Sequence, residues 1–199
     1  MPDVPPTSEG PMEPLRFPTP PRAVVFDIIK RKSYGEKRIV LASGKESDFY
    51  FDMKPTMFDP EALALLPELV LERLKGVDFD CIGGLEMGAV PLISPVMLHA
   101  RIRHDRDIPG FFVRQKAKMH GTKKLVEGSD VSGKRAVVLD DVTTTGGSAM
   151  QAVEEVRNAG GEVVMVLSIV DRGEGAAEFY RDQGIPFTSI YTAAEFRSR

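Results

Sequence analysis

The strongest constraint on this chain is the order of its apolar runs. From residue 79 onward, short and nearly continuous apolar segments, "FDCIGG", "GFFVR", "RAVVLD", "EVVMVLSIVD" and "PFTSIYT", alternate with segments of helical periodicity. A strand without polar alternation must be covered on both faces, and helices lying between such strands in sequence are what cover them. The expected fold is therefore α/β, a parallel sheet flanked by helices. Helices are predicted over "GAVPLISPVMLHA", "GSAMQAVEEVRNAGG" and "GAAEFYRDQG", and one long polar loop from "GFFVR" to Gly133. In sheets of this kind ligands bind at the carboxyl ends of the strands.

Ahead of this regular region, "RAVVFDIIKRKS" places Val24, Val25, Ile28 and Ile29 at helical spacing. "RIVLASGKESDFYFDMK" reads as two short strands about the turn "SGKESD". Asp59-Pro60 is a cap and first-turn pair for a helix to about Lys75, with Pro67 a candidate kink. Residues 1–21 are rich in proline and read as a flexible arm, leaving 22–199 as a single domain. At 199 residues, 42% hydrophobic and 28% charged, the chain is long enough for one sizeable core. A formal net charge of -3 argues against nucleic acid or an anionic membrane as partner. The lone Cys81 excludes an intrachain disulfide. With neither a secretory leader nor a membrane span expected, a cytoplasmic location follows.

Polar clusters fall where the strands end: "GGLEMG", "RQKAKMHGTKK", "DDVTTTGGS" and Asp171-Arg172. Together they define one expected site. Asp140 and Asp141 are adjacent carboxylates, which repel unless hydroxyl donors, a metal or a cation lie between them. Thr143, Thr144, Thr145, Gly146, Gly147 and Ser148 then lead into a helix, and helix N-terminal amides with hydroxyls and glycines cradle phosphate. Two acids before threonine could by themselves be a helix cap; apolar strand, acid pair, hydroxyls and glycines together ask for a ligand with hydroxyls at one end and phosphate at the other. A ribose 5-phosphate has both. No Walker A loop is present, since Gly83 to Gly88 is followed by Ala89-Val90. Arg114 to Lys124 carries one Arg, four Lys and His120 without an acid, a concentration suited to a highly charged anion. Glu86 is out of place beside such an anion.

"VVLDDVTTTGGS" resembles the phosphoribosyl-pyrophosphate motif of type I phosphoribosyltransferases. "LASGKESDFYFD", "GGLEMGAVPL", "VRQKAKMHGTKKLVEG" and "IVDRGEGA" narrow the resemblance to the orotate phosphoribosyltransferase family, over residues 22 to 195. The resemblance implies the type I fold with a small N-terminal hood and magnesium-dependent transfer of ribose 5-phosphate from phosphoribosyl pyrophosphate (PRPP) to orotate, a step of pyrimidine synthesis. It implies that Asp140 and Asp141 hold the ribose hydroxyls and stabilise a positive ribosyl centre. Val142 and Thr143 to Ser148 bind the 5'-phosphate region. Lys118 is the loop lysine at the leaving group, with Arg114, Gln115 and His120 beside it. Arg172 recognises orotate with Thr144 nearby, and Phe51 and Tyr50 flank the base. Magnesium is held mainly by substrate oxygens, without protein ligands of its own. The resemblance further implies a homodimer in which loop 115–128 of one chain completes the other chain's site. Two positions depart from the pattern: Ala42 stands where some members have Lys, with Lys54 a candidate substitute, and Gln115 where many have Lys. Two alternatives compete, a phosphoribosyltransferase for another nucleobase and a non-catalytic regulator that senses PRPP.

Overall fold

The structure, a computed structural model, describes residues 20–40, 46–116 and 124–198. The elements in chain order are α1 (Pro21–Lys32), β1 (Tyr34–Val40), β2 (Glu46–Phe51), α2 (Lys54–Met57), α3 (Pro60–Arg73), β3 (Cys81–Gly83), α4 (Val90–His104), β4 (Phe111–Val113), β5 (Val126–Gly128), β6 (Arg135–Thr143), α5 (Gly147–Asn158), β7 (Glu162–Asp171), α6 (Ala176–Asp182), β8 (Phe187–Thr192) and α7 (Ala193–Arg197). Strands β3-β6-β7-β8, in that order, form a parallel sheet. The α/β expectation holds, and β7 has the limits of its apolar run.

Alternation along β6 explains how helices cover both faces. Val137 and Leu139 enter one core with α1, α3 and α4, while Ala136 and Val138 enter the other with α5 and α6. Each fully buried Val or Leu side chain contributes about 1.5–3 kcal/mol. Helix α3 starts where the sequence places it: the Asp59 carboxylate accepts from the amides of Glu61 (3.0 Å) and Ala62 (2.9 Å), and Pro60 occupies the first turn. The helix runs through Pro67 to Arg73.

The structure corrects three details of the sequence reading. Strand β6 runs past the predicted "RAVVLD": Val142 and Thr143 still pair with β7, so Asp141 as well as Asp140 lies inside the strand near its end. The predicted polar loop contains β5, which pairs antiparallel with β4 through Val113↔Val126 and Phe111↔Gly128. Strand β4 is outside the four-stranded sheet and runs beside β3, where isolated parallel bridges join Ile82 to Gly110 and Leu85 to Val113. Ahead of the sheet, α1 packs with the antiparallel hairpin β1–β2, an N-terminal unit beside the site. The proposed arm and Ala42 lie outside the described residues, apart from Pro20 and the first residue of α1. Among the described residues no helix is long and apolar enough to cross a membrane.

Candidate active site

A cavity of about 250 Å³ opens at the carboxyl end of the sheet, lined by Asp140, Asp141, Gly88, Ser148, Lys54 and Gln115 among others. The acid pair enters it from β6. Asp140 is buried, and its Oδ2 accepts from the Thr143 hydroxyl at 2.8 Å. Burial, reinforced by the charge of Asp141, pushes the Asp140 carboxyl up to about 7. Asp141 Oδ1 accepts from the Val142 amide at 2.8 Å. Burial raises this carboxyl too, opposed by backbone hydrogen bonds and by the charge of Lys54. Two acids held in this way gain a partner when hydroxyl groups or a cation enter the cavity.

Gly88 lies across the cavity. A Cβ there would sit 2.8 Å from Asp141 Oδ1 and 3.5 Å from Asp140 Oδ1, so both carboxylates and the loop backbone face one point. Glycine permits that approach. Glu86, the misplaced acid of the sequence reading, is turned to a structural task. Its Oε1 accepts from the Gln115 amide, and its backbone carbonyl accepts from Gln115 Nε2, both at 3.1 Å. The loop after β3 is thereby tied to the start of the basic segment. Arg114 donates its backbone N–H to Leu125 O at 3.0 Å, pinning the two ends of that segment together. Lys118 and His120 lie outside the described residues.

Beyond β6, Thr144 and Thr145 are half-buried, and Gly146 takes a left-handed conformation (φ 95°) as it opens α5. No side chain caps this helix, so its first amides remain available to an anion. The Tyr180 hydroxyl donates to Gly146 O at 2.7 Å and fixes the turn from behind. Gly147 and Ser148 are exposed at the helix entrance.

Arg172 follows β7, and its amide donates to Thr143 O at 2.9 Å, joining the ends of the two central strands. Its buried guanidinium is held by Glu174 (Nε to Oε1, 2.7 Å) and the Ser47 hydroxyl (2.9 Å), and stacks 4.3 Å from the centre of the Phe49 ring. It therefore fastens β2 to the sheet edge, leaving N–H groups of Nη1 with only a 3.5 Å contact to Phe49 O. Glu174 Oε2 is buried and lacks a hydrogen-bond partner among the described residues. Phe51 packs against Tyr34 and Phe196, each with ring centroids 5.2 Å apart. Tyr50 points to the opposite side of β2, where its ring covers Gly35, so it does not share a face with Phe51. Sequence reasoning missed Phe49 and Glu174. Period-two alternation from Phe51 marks Phe49, and Glu174 stands two residues after Arg172. Lys54 does reach the cavity, its Nζ 2.7 Å from Asp52.

An acid pair in a parallel strand, an uncapped helix N-terminus behind it and a glycine loop across from it define the phosphoribosyltransferase class. The family profile described as "Phosphoribosyl transferase domain" matches residues 64–186. Two curated relatives are named orotate phosphoribosyltransferase. That of Rhodopseudomonas palustris (strain BisB5) is 52% identical, covering 89% of this chain and 97% of that protein. That of Bradyrhizobium diazoefficiens is 53% identical, covering 88% and 95%. The crystal structure of the Mycobacterium tuberculosis orotate phosphoribosyltransferase in complex with PRPP superimposes with a TM-score of 0.74 at 37% identity, over 89% of this chain and 99% of that one. The chain belongs to the orotate phosphoribosyltransferase family.

Proposed function

We propose that this protein transfers ribose 5-phosphate from PRPP to a ring nitrogen of orotate, giving orotidine 5'-monophosphate and pyrophosphate in pyrimidine biosynthesis. The observation that carries this reading is the convergence of Asp140, Asp141 and the Gly88 backbone on one point, beside the open N-terminus of α5. Ribose hydroxyls donate to the two carboxylates, and the 5'-phosphate sits against the α5 amides with Thr143 to Ser148. The bond from ribose C1 to pyrophosphate breaks with its electron pair on pyrophosphate, positive charge develops on the ribosyl ring, and the orotate ring nitrogen bonds to C1 as its proton passes to solvent. Fixed carboxylates, desolvated before substrate arrives, stabilise that charge without reorganising. Their oxygen chemistry also suits magnesium, a hard cation, which substrate oxygens would hold in place and which would offset part of the pyrophosphate charge. Arg114, Gln115, Lys118 and His120 serve the leaving group. The orotate carboxylate takes the N–H groups of Arg172 not occupied by Glu174 and Ser47, with Thr144 and Phe51 nearby.

A homodimer with loop 115–128 reaching the opposite site is part of this proposal. Leu98 and Ile102, one turn apart on α4 and 61% and 58% exposed, support it by offering an apolar strip that a second copy would cover. The test of function is a panel of bases with PRPP and magnesium. Orotate should be consumed, with uracil, adenine, hypoxanthine and guanine turned over far more slowly. Purine turnover at the orotate rate would assign the protein to another base. PRPP binding without turnover of any base would make it a sensor.

A further inference from the structure

The transferase chemistry leaves unused a cluster on the two helices that pack together beside the sheet. Glu68 of α3 faces His99 and His104 of α4, two of the chain's three histidines. His99 Nε2 lies 2.7 Å from Glu68 Oε2, and His104 Nε2 lies 3.1 Å from the same oxygen. One donor atom from each of the three residues falls within 4.8 Å of the other two.

Convergence of two ring nitrogens on one carboxylate oxygen is a ligand geometry as well as a hydrogen-bond geometry. Around a tetrahedral ion with bonds of about 2.0–2.1 Å, donor atoms stand about 3.3 Å apart, so both contacts are within about 0.6 Å of the required spacing. Two imidazoles and a carboxylate suit a borderline ion such as zinc, whereas magnesium prefers oxygen alone. The His104 side chain is 40% exposed and the His99 side chain 16%, which leaves an entry path and room for water as a fourth ligand. The ligands are 31 and 36 residues apart in sequence, so the set exists only when α3 and α4 are packed. We propose that Glu68, His99 and His104 bind a divalent transition ion of the zinc type, away from the transferase machinery, and that the ion clamps α3 to α4.

The experiment uses the full chain, stripped with a chelator and titrated with zinc by calorimetry in the absence of PRPP. One zinc per chain should bind, and His99→Gln, His104→Ala and Glu68→Gln should each weaken that binding at least tenfold. At free zinc a hundred times the dissociation constant, the melting temperature of the parent protein should rise by about 5–10 °C. The same variants should lose most of that rise. Cobalt should give the parent a visible absorption band of tetrahedral intensity that His104→Ala abolishes. His104 is the most exposed of the three ligands, so its variant tests the site without disturbing the core. Absence of zinc binding, or binding and a thermal shift that all three variants retain, would overturn the proposal and leave the cluster a hydrogen-bonded contact between helices.

Discussion

Replacing Asp140 with Asn should make the ligand-free protein more stable while abolishing transfer. The carboxyl is buried with its Oδ2 on Thr143, and its half-protonation point stands at about 7 against an ordinary 3.8. Between those values the folded chain keeps a proton that the unfolded chain has released. Because the folded state binds more protons there, stability falls as pH rises from about 4 to 7 and is level above. At about 1.4 kcal/mol for each tenfold change in proton concentration, the cost to the folded protein above pH 7 has a ceiling of about 4 kcal/mol. Asn can accept from Thr143 through its amide oxygen without carrying charge, so the variant escapes most of that cost. Chemical unfolding of both proteins without ligand should show little difference near pH 4, with the Asp140→Asn variant ahead by a margin that widens to pH 7 and then holds. Turnover should be lost at every pH. A variant less stable than the parent at pH 7.5, or a margin independent of pH, would refute the reasoning and make Asp140 a structural acceptor.

Three other perturbations probe the same geometry. Gly88→Ala places a methyl group 2.8 Å from Asp141 Oδ1, so the loop or the carboxylate must shift and steady-state turnover should fall about tenfold or more with the fold intact by circular dichroism. Tyr180→Phe removes one of the two donors to Gly146 O and leaves the Met150 amide at 3.1 Å, so thermal unfolding should report a loss of about 1 kcal/mol and calorimetry a weaker grip on PRPP. If loop 115–128 acts across a dimer, inactive Lys118→Ala and Asp141→Asn proteins mixed under subunit exchange should recover up to about a quarter of parental activity, since one hybrid site in two is undamaged. Verified exchange without recovery would place the loop over its own chain's site.

Much of the fold could be read from the chain because the decisive elements are long and patterned. The run "EVVMVLSIVD" has ten residues and no breaker, and Asp59-Pro60 carries both a cap and a fixed φ. The elements that escaped are short. Strand β5 is three residues held by pairing with β4 and by Val126 against the core, and α2 is one turn. Helix α7 is legible in hindsight, since Thr192 and Glu195 have the spacing of a capping box and form one. In the site, the motif marked Asp140, Asp141 and the loop Thr143 to Ser148 at the entrance of α5, which are contiguous. It could not show that Glu86 fastens Gln115, or that Arg172 is already engaged by Ser47 and Phe49, because those contacts join segments 29 and 123–125 residues apart. The cluster of Glu68, His99 and His104 was invisible for the same reason: it is made by helix packing.

The central claim is that Arg172 gives this site its base, while the acid pair and the α5 entrance hold the sugar phosphate. The direct measurement is Arg172→Ala, with steady-state constants for orotate and a calorimetric affinity for PRPP on the same preparation. A charge-assisted hydrogen bond contributes about 1.5–3 kcal/mol, so kcat/KM for orotate should fall at least tenfold and up to about 150-fold, with PRPP affinity within about threefold of the parent. Equal losses for both substrates, together with a lower melting temperature, would contradict the account. Arg172 would then act only as the bolt that fastens β2 to the sheet edge.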